Sequence, residues 1–260
     1  MDTIPHELFT AFNDVTFYDE PHKYYLDGKE LISVTTLIGR YKEEFDEKFW
    51  SEFKGTQHTI SPVEIVRAWK FINKKGTIRG SAIHDYTENL FQNKKYEYPE
   101  QLILKEFGFD PVKHTYDICK KHVDKFYNKV QGRLIPIRTE MIVCDKELLI
   151  GGMLDILFWN VKAQEFQIWD WKTNKEFTRR EPKRHLLDEL CMLEETDLEL
   201  YSLQLEMYKQ IIERNVPIKL GKSYLVWFSH NNENYEIIET LDRTYHVKTI
   251  LNKRLLELAA

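Results

Sequence analysis

Cysteine is scarce in this sequence: Cys119, Cys144 and Cys191 are the three in 260 residues. They lie far apart, are odd in number and form no C-x-x-C pair, so neither a disulfide framework nor a zinc or iron-sulfur site is indicated. Long apolar runs are missing as well. The best candidates are interrupted by Asp or Gly and fall short of a bilayer span. The opening Met1-Asp2-Thr3-Ile4-Pro5-His6-Glu7 has neither the basic start and apolar block of a signal peptide nor the arginines of a transit peptide. A soluble, cytoplasmic protein with no membrane partner is therefore expected. There is no G-x-x-x-x-G-K-S/T phosphate loop, so any unwinding motor must come from a partner, and there is no internal repeat. Positive charge is not in excess either. A net charge of −5 argues against a protein that coats nucleic acid indiscriminately, while leaving room for a local basic groove.

Hydrophobic residues make up 42% of the chain and aromatics 13%, enough for a substantial core in one domain over 1–260. Within it, 1–74 reads as an N-terminal hairpin and helical extension, and 75–260 as the core. Residues 23–26 and 29–32 flank Asp27-Gly28, a strong two-residue turn signal. Helical spacing recurs over about 43–53, 62–74, 78–92 and 112–130, with Ser61-Pro62 and Thr77 as helix starts. The period then changes. Residues 137–144, 148–159 and 165–172, rich in β-branched and aromatic side chains, read as a three-stranded antiparallel meander. A helix over 197–215, strands over 223–228 and near 234–240, and a closing helix from Asp242 complete the order. This predicts an α/β fold with a mixed central sheet flanked by helices.

An acid two residues before a lysine is a weak pattern, since Asp27/Lys29, Asp46/Lys48, Glu52/Lys54 and Glu181/Lys183 match it as well as Asp170/Lys172. Context separates them. Asp170 and Lys172 end an apolar strand and, by strand alternation, point to one face. Asp155 interrupts the preceding strand, and a turn centred near Lys162 sets it opposite Asp170. Facing carboxylates in apolar strands repel and resist desolvation, so the arrangement calls for a cation or a proton. Hard oxygen ligands favour one or two Mg²⁺ or Mn²⁺ ions, with the Lys172 ammonium placed to hold a water and offset charge on a phosphate. The bland alternative is a buried Asp170–Lys172 salt bridge, with Asp155 satisfied by turn or backbone donors.

Gln204 and Tyr208, four residues apart on a helix, share a face that reaches the sheet edge. His84 lies on another helix with Glu88 one turn on, where a carboxylate can orient the imidazole. Taken singly, each is more often an ordinary helix flank. Arg179, Arg180, Lys183 and Arg184 cluster ahead of the acidic stretch from Asp188 to Glu199, and a substrate-gripping turn and a plain solvated one both fit. Phe17, Tyr18, Tyr24, Tyr25, Trp50 and Trp69 offer base-stacking surfaces or core packing.

Gly80-x-x-x-His84, Asp155, Asp170-Trp171-Lys172 and Gln204-x-x-x-Tyr208, in that order, resemble the RecB-type branch of the PD-(D/E)XK nucleases over about residues 75–230. That branch includes the RecB and AddAB nuclease domains, the CRISPR-associated iron-sulfur exonucleases and phage exonucleases. The resemblance implies a restriction-endonuclease-like core and a metal-dependent deoxyribonuclease, an exonuclease of DNA recombination, repair or replication. It implies His84, Asp155, Asp170 and the Trp171 carbonyl as metal ligands, with Asp155, Asp170, Lys172 and Glu140 catalytic. Gln204 and Tyr208, with Arg179 and Arg180, would position the DNA strand.

Glu140 resembles the acid that often precedes the Asp strand in this branch. Pairing about an Asp145-Lys146 turn, however, sets it opposite Gly152 and on the wrong face unless Gly151-Gly152 forms a bulge. Leu154 stands where the family name has proline, and the four cysteines of the cluster-bearing relatives are missing, so no iron-sulfur cluster is expected. DNA is the implied partner, beside a recombinase, a single-strand annealing protein or a helicase, in the host cytoplasm if the source is a phage. A structure-specific endonuclease of the same superfamily and a DNA-binding accessory protein without turnover fit the same residues.

Overall fold

The computed structural model describes residues 4–177 and 184–259. A helical turn, α1 (Glu7–Thr10), leads into a meander of β1 (Val15–Tyr18), β2 (Lys23–Leu26) and β3 (Lys29–Ser33). The β2–β3 turn is the expected one, with Asp27 and Gly28 both at positive φ, 49° and 77°, the geometry that matches strand twist. Ser33 then caps α2 (Val34–Gly39), its hydroxyl accepting from the Thr36 N–H at 3.0 Å. Next come α3 (Glu47–His58) and α4 (Pro62–Phe91). The start of α4 is a capping box in which Ser61 and Glu64 exchange hydrogen bonds. No second helix begins at Thr77. Its hydroxyl donates back to the Asn73 carbonyl at 3.1 Å, as a mid-helix threonine does, so α4 runs on without a break. α5 (Glu100–Phe107), which the periodicity does not reveal, and α6 (Lys113–Val130) follow.

β4 (Leu134–Asp145), β5 (Ile150–Asn160) and β6 (Glu165–Lys172) form the antiparallel meander. α7 (Asp197–Asn215), capped by the Thr196 side chain, crosses over to β7 (Tyr224–Trp227), which lies parallel to β6. β8 (Glu236–Glu239) pairs antiparallel with β7, and α8 (Thr244–Ala259) closes the chain. The eight-stranded mixed sheet runs β1-β2-β3-β5-β6-β7-β8, with β4 on the far edge of β5. β3 joins β5 in parallel only at Ile32↔Ile150 and Ser33↔Gly151, while β6 takes the same edge from Ile156 to Asn160. Among the described residues, 152–155 have no strand partner on that edge. The sheet opens there.

Helices cover both faces. On one, α4 and α6 pack Ile83, Phe91, Val123 and Phe126 against Phe158, Trp169, Trp171 and Phe228, with Phe91 and Trp171 stacked at 5.9 Å. On the other, α2, α7 and α8 pack Leu37, Leu203, Met207 and Ile250 against Leu154, Leu157, Ile168 and Leu225. Residues two apart on a strand normally share a face. Leu154 and Ile156 nevertheless belong to opposite layers. β4 does the same, since Met141 packs on the α7 side whereas the Thr139 hydroxyl accepts from Gln92 of α4 at 2.6 Å. Both strands change face at Glu140 and Asp155, and Glu140 takes a positive φ of 43° to do so. No helix among the described residues is long and apolar enough to cross a membrane.

Candidate active site

Three acids stand abreast at the opening in the sheet. The pairs Thr139↔Ile156 and Met141↔Leu154 bracket Glu140 and Asp155, which therefore face each other. The β5–β6 ladder ends at Ile156↔Trp169, leaving Asp155 and Asp170 as the next opposed residues, as strand alternation predicts. The sequence register for Glu140 needs correction. The β4–β5 loop is wider than a turn at Asp145-Lys146: Asp145 pairs with Ile150, and its carboxylate accepts from the Leu148 N–H at 2.9 Å. That moves Glu140 from opposite Gly152 to opposite Asp155. Nor is there a bulge at Gly151-Gly152, which pair regularly with Cys144 and Val143. These glycines make room instead. A Cβ on Gly152 would sit 2.5 Å from Cε1 of Tyr208, and one on Gly151 would sit 3.0 Å from Cβ of Tyr24.

His84 reaches the acids from α4. Its Nδ1 lies 3.4 Å from Asp155 Oδ1, and its Nε2 donates to the Trp171 carbonyl at 3.0 Å. Asp155 Oδ2 accepts from the Trp171 N–H at 2.6 Å, so Trp171 serves the site through its backbone while its indole is buried in the α4–α6 core. The expected role of Glu88 is not observed. Its carboxylate accepts from Gln92 at 2.7 Å and lies toward Thr139 of β4, so Asp155 orients the imidazole instead. Lys172 Nζ forms an ion pair with Asp170 Oδ2 at 2.5 Å and lies 4.2 Å from the centre of the Tyr201 ring. From α7, Gln204 Nε2 donates to Tyr208 Oη at 3.1 Å.

His84, Glu140, Asp155, Asp170, Lys172, Gln204 and Tyr208 line one pocket of about 240 Å³. Beside Gly152 and Met153 of β5, its remaining wall comes from the N-terminal segment, through His22, Tyr24, Ser33, Val34 and Thr35. Except for Tyr24, singled out as an aromatic surface, sequence reasoning missed these, because a two-pair parallel contact leaves no periodic trace. It also missed Tyr201, whose hydroxyl accepts from Asn174 at 2.7 Å and which lies three residues before Gln204, where helical spacing could have revealed it. Trp50 packs on Phe49 and Phe53, and Trp69 on Phe45, away from the pocket lining. Arg179, Arg180 and Lys183 lie outside the described residues.

The charges do not balance without a further cation or protons. Burial, and then the Asp155 charge, push the Asp170 carboxyl up to about 6. The same two causes push Glu140 up to about 8. Asp155 stays below the usual carboxylate range: burial works to raise it, but His84, Lys172 and the Trp171 N–H together outweigh burial. His84 shows the converse. Burial favours its neutral ring, yet Asp155 and Asp170 hold a proton on it up to about 9. Lys172 is held protonated by Asp170 and Asp155 against burial. At neutral pH the acids thus retain protons on Glu140 and His84, where a cation would serve as well.

A divalent cation fits this donor set. Ligand atoms of His84, Glu140 and Asp155 lie within 4.8 Å of one another. Asp170 and the Trp171 carbonyl stand outside that trio, engaged by Lys172 and His84. No family model matches the sequence, and no curated protein does. Among solved structures, a Eubacterium rectale protein provisionally named an exonuclease is similar at a TM-score of 0.42 and 12% identity. The match covers 71% of this chain and 65% of that one, so the chain spans less than two thirds of its length. A protein named SSO0001 is similar at a TM-score of 0.29 and 10% identity over 67% of this chain and 84% of that one. Both likenesses are too loose to carry a fold family or an activity. The site has to speak through its own chemistry.

Proposed function

We propose that this chain is a metal-dependent deoxyribonuclease with a PD-(D/E)XK core of the RecB type, hydrolysing DNA phosphodiester bonds from an end. The observation that carries this reading is the row of Glu140, Asp155 and Asp170 on three adjacent strands, with Lys172 and His84 closing on it. His84, Glu140 and Asp155 would hold one Mg²⁺ or Mn²⁺, with Asp170 and the Trp171 carbonyl at its margin. When bound, such an ion supplies Lewis acidity that offsets phosphate charge and makes water a better nucleophile.

The residues themselves divide the remaining work. Asp170 and Asp155 favour the ammonium form of Lys172, which is placed to hold a water and to donate toward charge growing on a phosphate oxygen. Tyr201 and Asp170 pin its ammonium in place. Gln204 and Tyr208 present an amide and a phenol on one helix face toward a bound strand. An exonuclease is the leading reading on the resemblance of the motifs, and an open-cleft endonuclease with the same catalytic residues is the second. A role in recombination, repair or replication, beside a recombinase, annealing protein or helicase, goes with that reading.

Digestion of end-labelled linear and closed circular DNA tests it, using wild type and Asp170→Ala with Mg²⁺, Mn²⁺ or EDTA. Metal-dependent loss of linear DNA alone, abolished in the variant, is the expected result. Cutting of circles would replace the exonuclease with an endonuclease, and no cleavage of either by folded protein would overturn the catalytic reading.

A further inference from the structure

Beyond Lys172 lies positive charge that the pocket does not use. Arg79, on α4 just ahead of His84, is only 6% exposed. Its Nη2 donates to the Thr173 carbonyl at 2.9 Å, but its buried Nε has no hydrogen-bond partner. Among the described residues, the titratable neighbours that interact with its charge, Cys119 and His230, include no carboxylate. An unpaired buried guanidinium is costly, and an anion is the natural complement.

More cations gather around it. Lys75 precedes Arg79 by one helical turn and so shares its face. On the other side, the Lys175 carbonyl accepts from Ser229 Oγ at 3.1 Å and from Asn231 Nδ2 at 3.4 Å, which brings the exit of β7, and with it His230, alongside. His230 Nδ1 is likewise buried without a partner. Burial first, and then Arg79, Lys75 and Lys175, hold this imidazole down to about 4, so the largest electrostatic influences on it come from basic side chains. The cluster sits just past the carboxyl ends of the parallel strands β6 and β7, where open α/β sheets bind ligands. Thr173, whose carbonyl holds Arg79, directly follows Lys172, and Arg79 lies little more than one helical turn before His84 on α4, which sets the cluster beside the catalytic pocket.

We propose that Arg79, with Lys75, Lys175 and His230, forms a phosphate-binding subsite that grips a DNA backbone next to the phosphodiester in the catalytic pocket. The substrate assignment rests on the nuclease reading above. Arg79 is the buried anchor, and the two lysines are the outer contacts.

The deciding experiment reads binding, not turnover, and spares the buried arginine, whose loss could unfold α4. Lys75→Ala/Lys175→Ala is compared with wild type and with Lys94→Ala/Lys95→Ala, a pair of exposed lysines beyond the far end of α4 that removes equal charge. Fluorescence anisotropy of a fluorescein-labelled single-stranded DNA in Ca²⁺ is recorded across a salt series. The subsite pair is expected to bind about tenfold more weakly, with the slope of log Kd against log salt reduced by about 1.4, because each single-strand phosphate contact contributes about 0.7. The control pair should change both far less. Equal affinity and slope for the two pairs overturn the subsite, as does a wild type that fails to bind. A wild type that binds through these lysines yet cleaves nothing sinks the nuclease and leaves the anion subsite standing.

Discussion

Asp170→Asn offers the sharpest test of the idea that this pocket is built for a cation it must otherwise do without. Burial and the Asp155 charge lift Asp170 from its ordinary value of 3.8 to about 6. A tenfold change in acidity is worth about 1.4 kcal/mol, so the ionised side chain destabilises the cation-free fold by on the order of 3 kcal/mol. The sign follows from linkage. A raised carboxyl pKa means the folded chain holds this proton more tightly than the unfolded chain, so nothing is lost below about pH 4. The penalty grows as pH rises to about 6 and is complete above it. Asparagine removes the charge and keeps an oxygen for Lys172. Because Lys172 loses part of its counter-charge, the net gain at pH 8 is expected nearer 1–2 kcal/mol, a rise of about 2–8 °C in Tm for a chain of this size. Thermal unfolding followed by circular dichroism in EDTA, at pH 5 and pH 8, measures it. The gain at pH 5 should be about half that at pH 8, and added Mg²⁺ should raise the wild-type Tm more than that of the variant. A variant less stable than wild type at pH 8, or a gain that does not grow with pH, would refute the account of the buried acids.

Other substitutions and titrations probe the same geometry. Cation binding must displace protons from His84, held to about 9, and Glu140, held to about 8, so Mg²⁺ or Mn²⁺ affinity should climb between pH 6 and 9, with proton release visible by calorimetry in buffers of different ionisation enthalpy. Lys172→Met should lower DNA cleavage by about 10²–10³-fold with the fold retained, and unchanged cleavage would remove the lysine from the chemistry. Gly152→Ala drives a methyl to 2.5 Å from Tyr208, so a loss of about 1–3 kcal/mol is expected in urea unfolding, relieved when Tyr208→Ala is added. Tyr201→Leu should cut kcat several-fold with little change in KM by freeing the Lys172 ammonium, and Tyr201→Phe should restore it.

Where local chemistry fixes a turn, the sequence is legible. Asn160 accepts from the N–H groups of Lys162 and Ala163 at 3.1 and 3.0 Å, closing a short loop, so alternation alone sets Asp155 against Asp170. The span of α7 is equally plain, because Thr196 caps a helix with a continuous apolar face. Glu140 is misplaced in the sequence reading because the loop before β5 needs Leu149 at a positive φ of 51°, which a leucine does not advertise. The continuous α4 is hidden by Thr77, whose capping chemistry is spent on a mid-helix carbonyl. The N-terminal wall of the pocket depends on contacts more than a hundred residues apart in sequence, Ile32↔Ile150 and Ser33↔Gly151, that no local pattern records. Arg79 is invisible for another reason: nothing about an arginine before a glycine announces that it will be buried without an acid.

The change of face at Glu140 and Asp155 ties the two halves of the molecule together. Because β5 hands its apolar side chains from one layer to the other at that point, and Thr139 and Met141 of β4 turn to opposite layers beside it, the carboxylates sit at the crossing, with His84 arriving from one layer and Gln204 and Tyr208 from the other. The packing of both layers therefore meets at the same few oxygens.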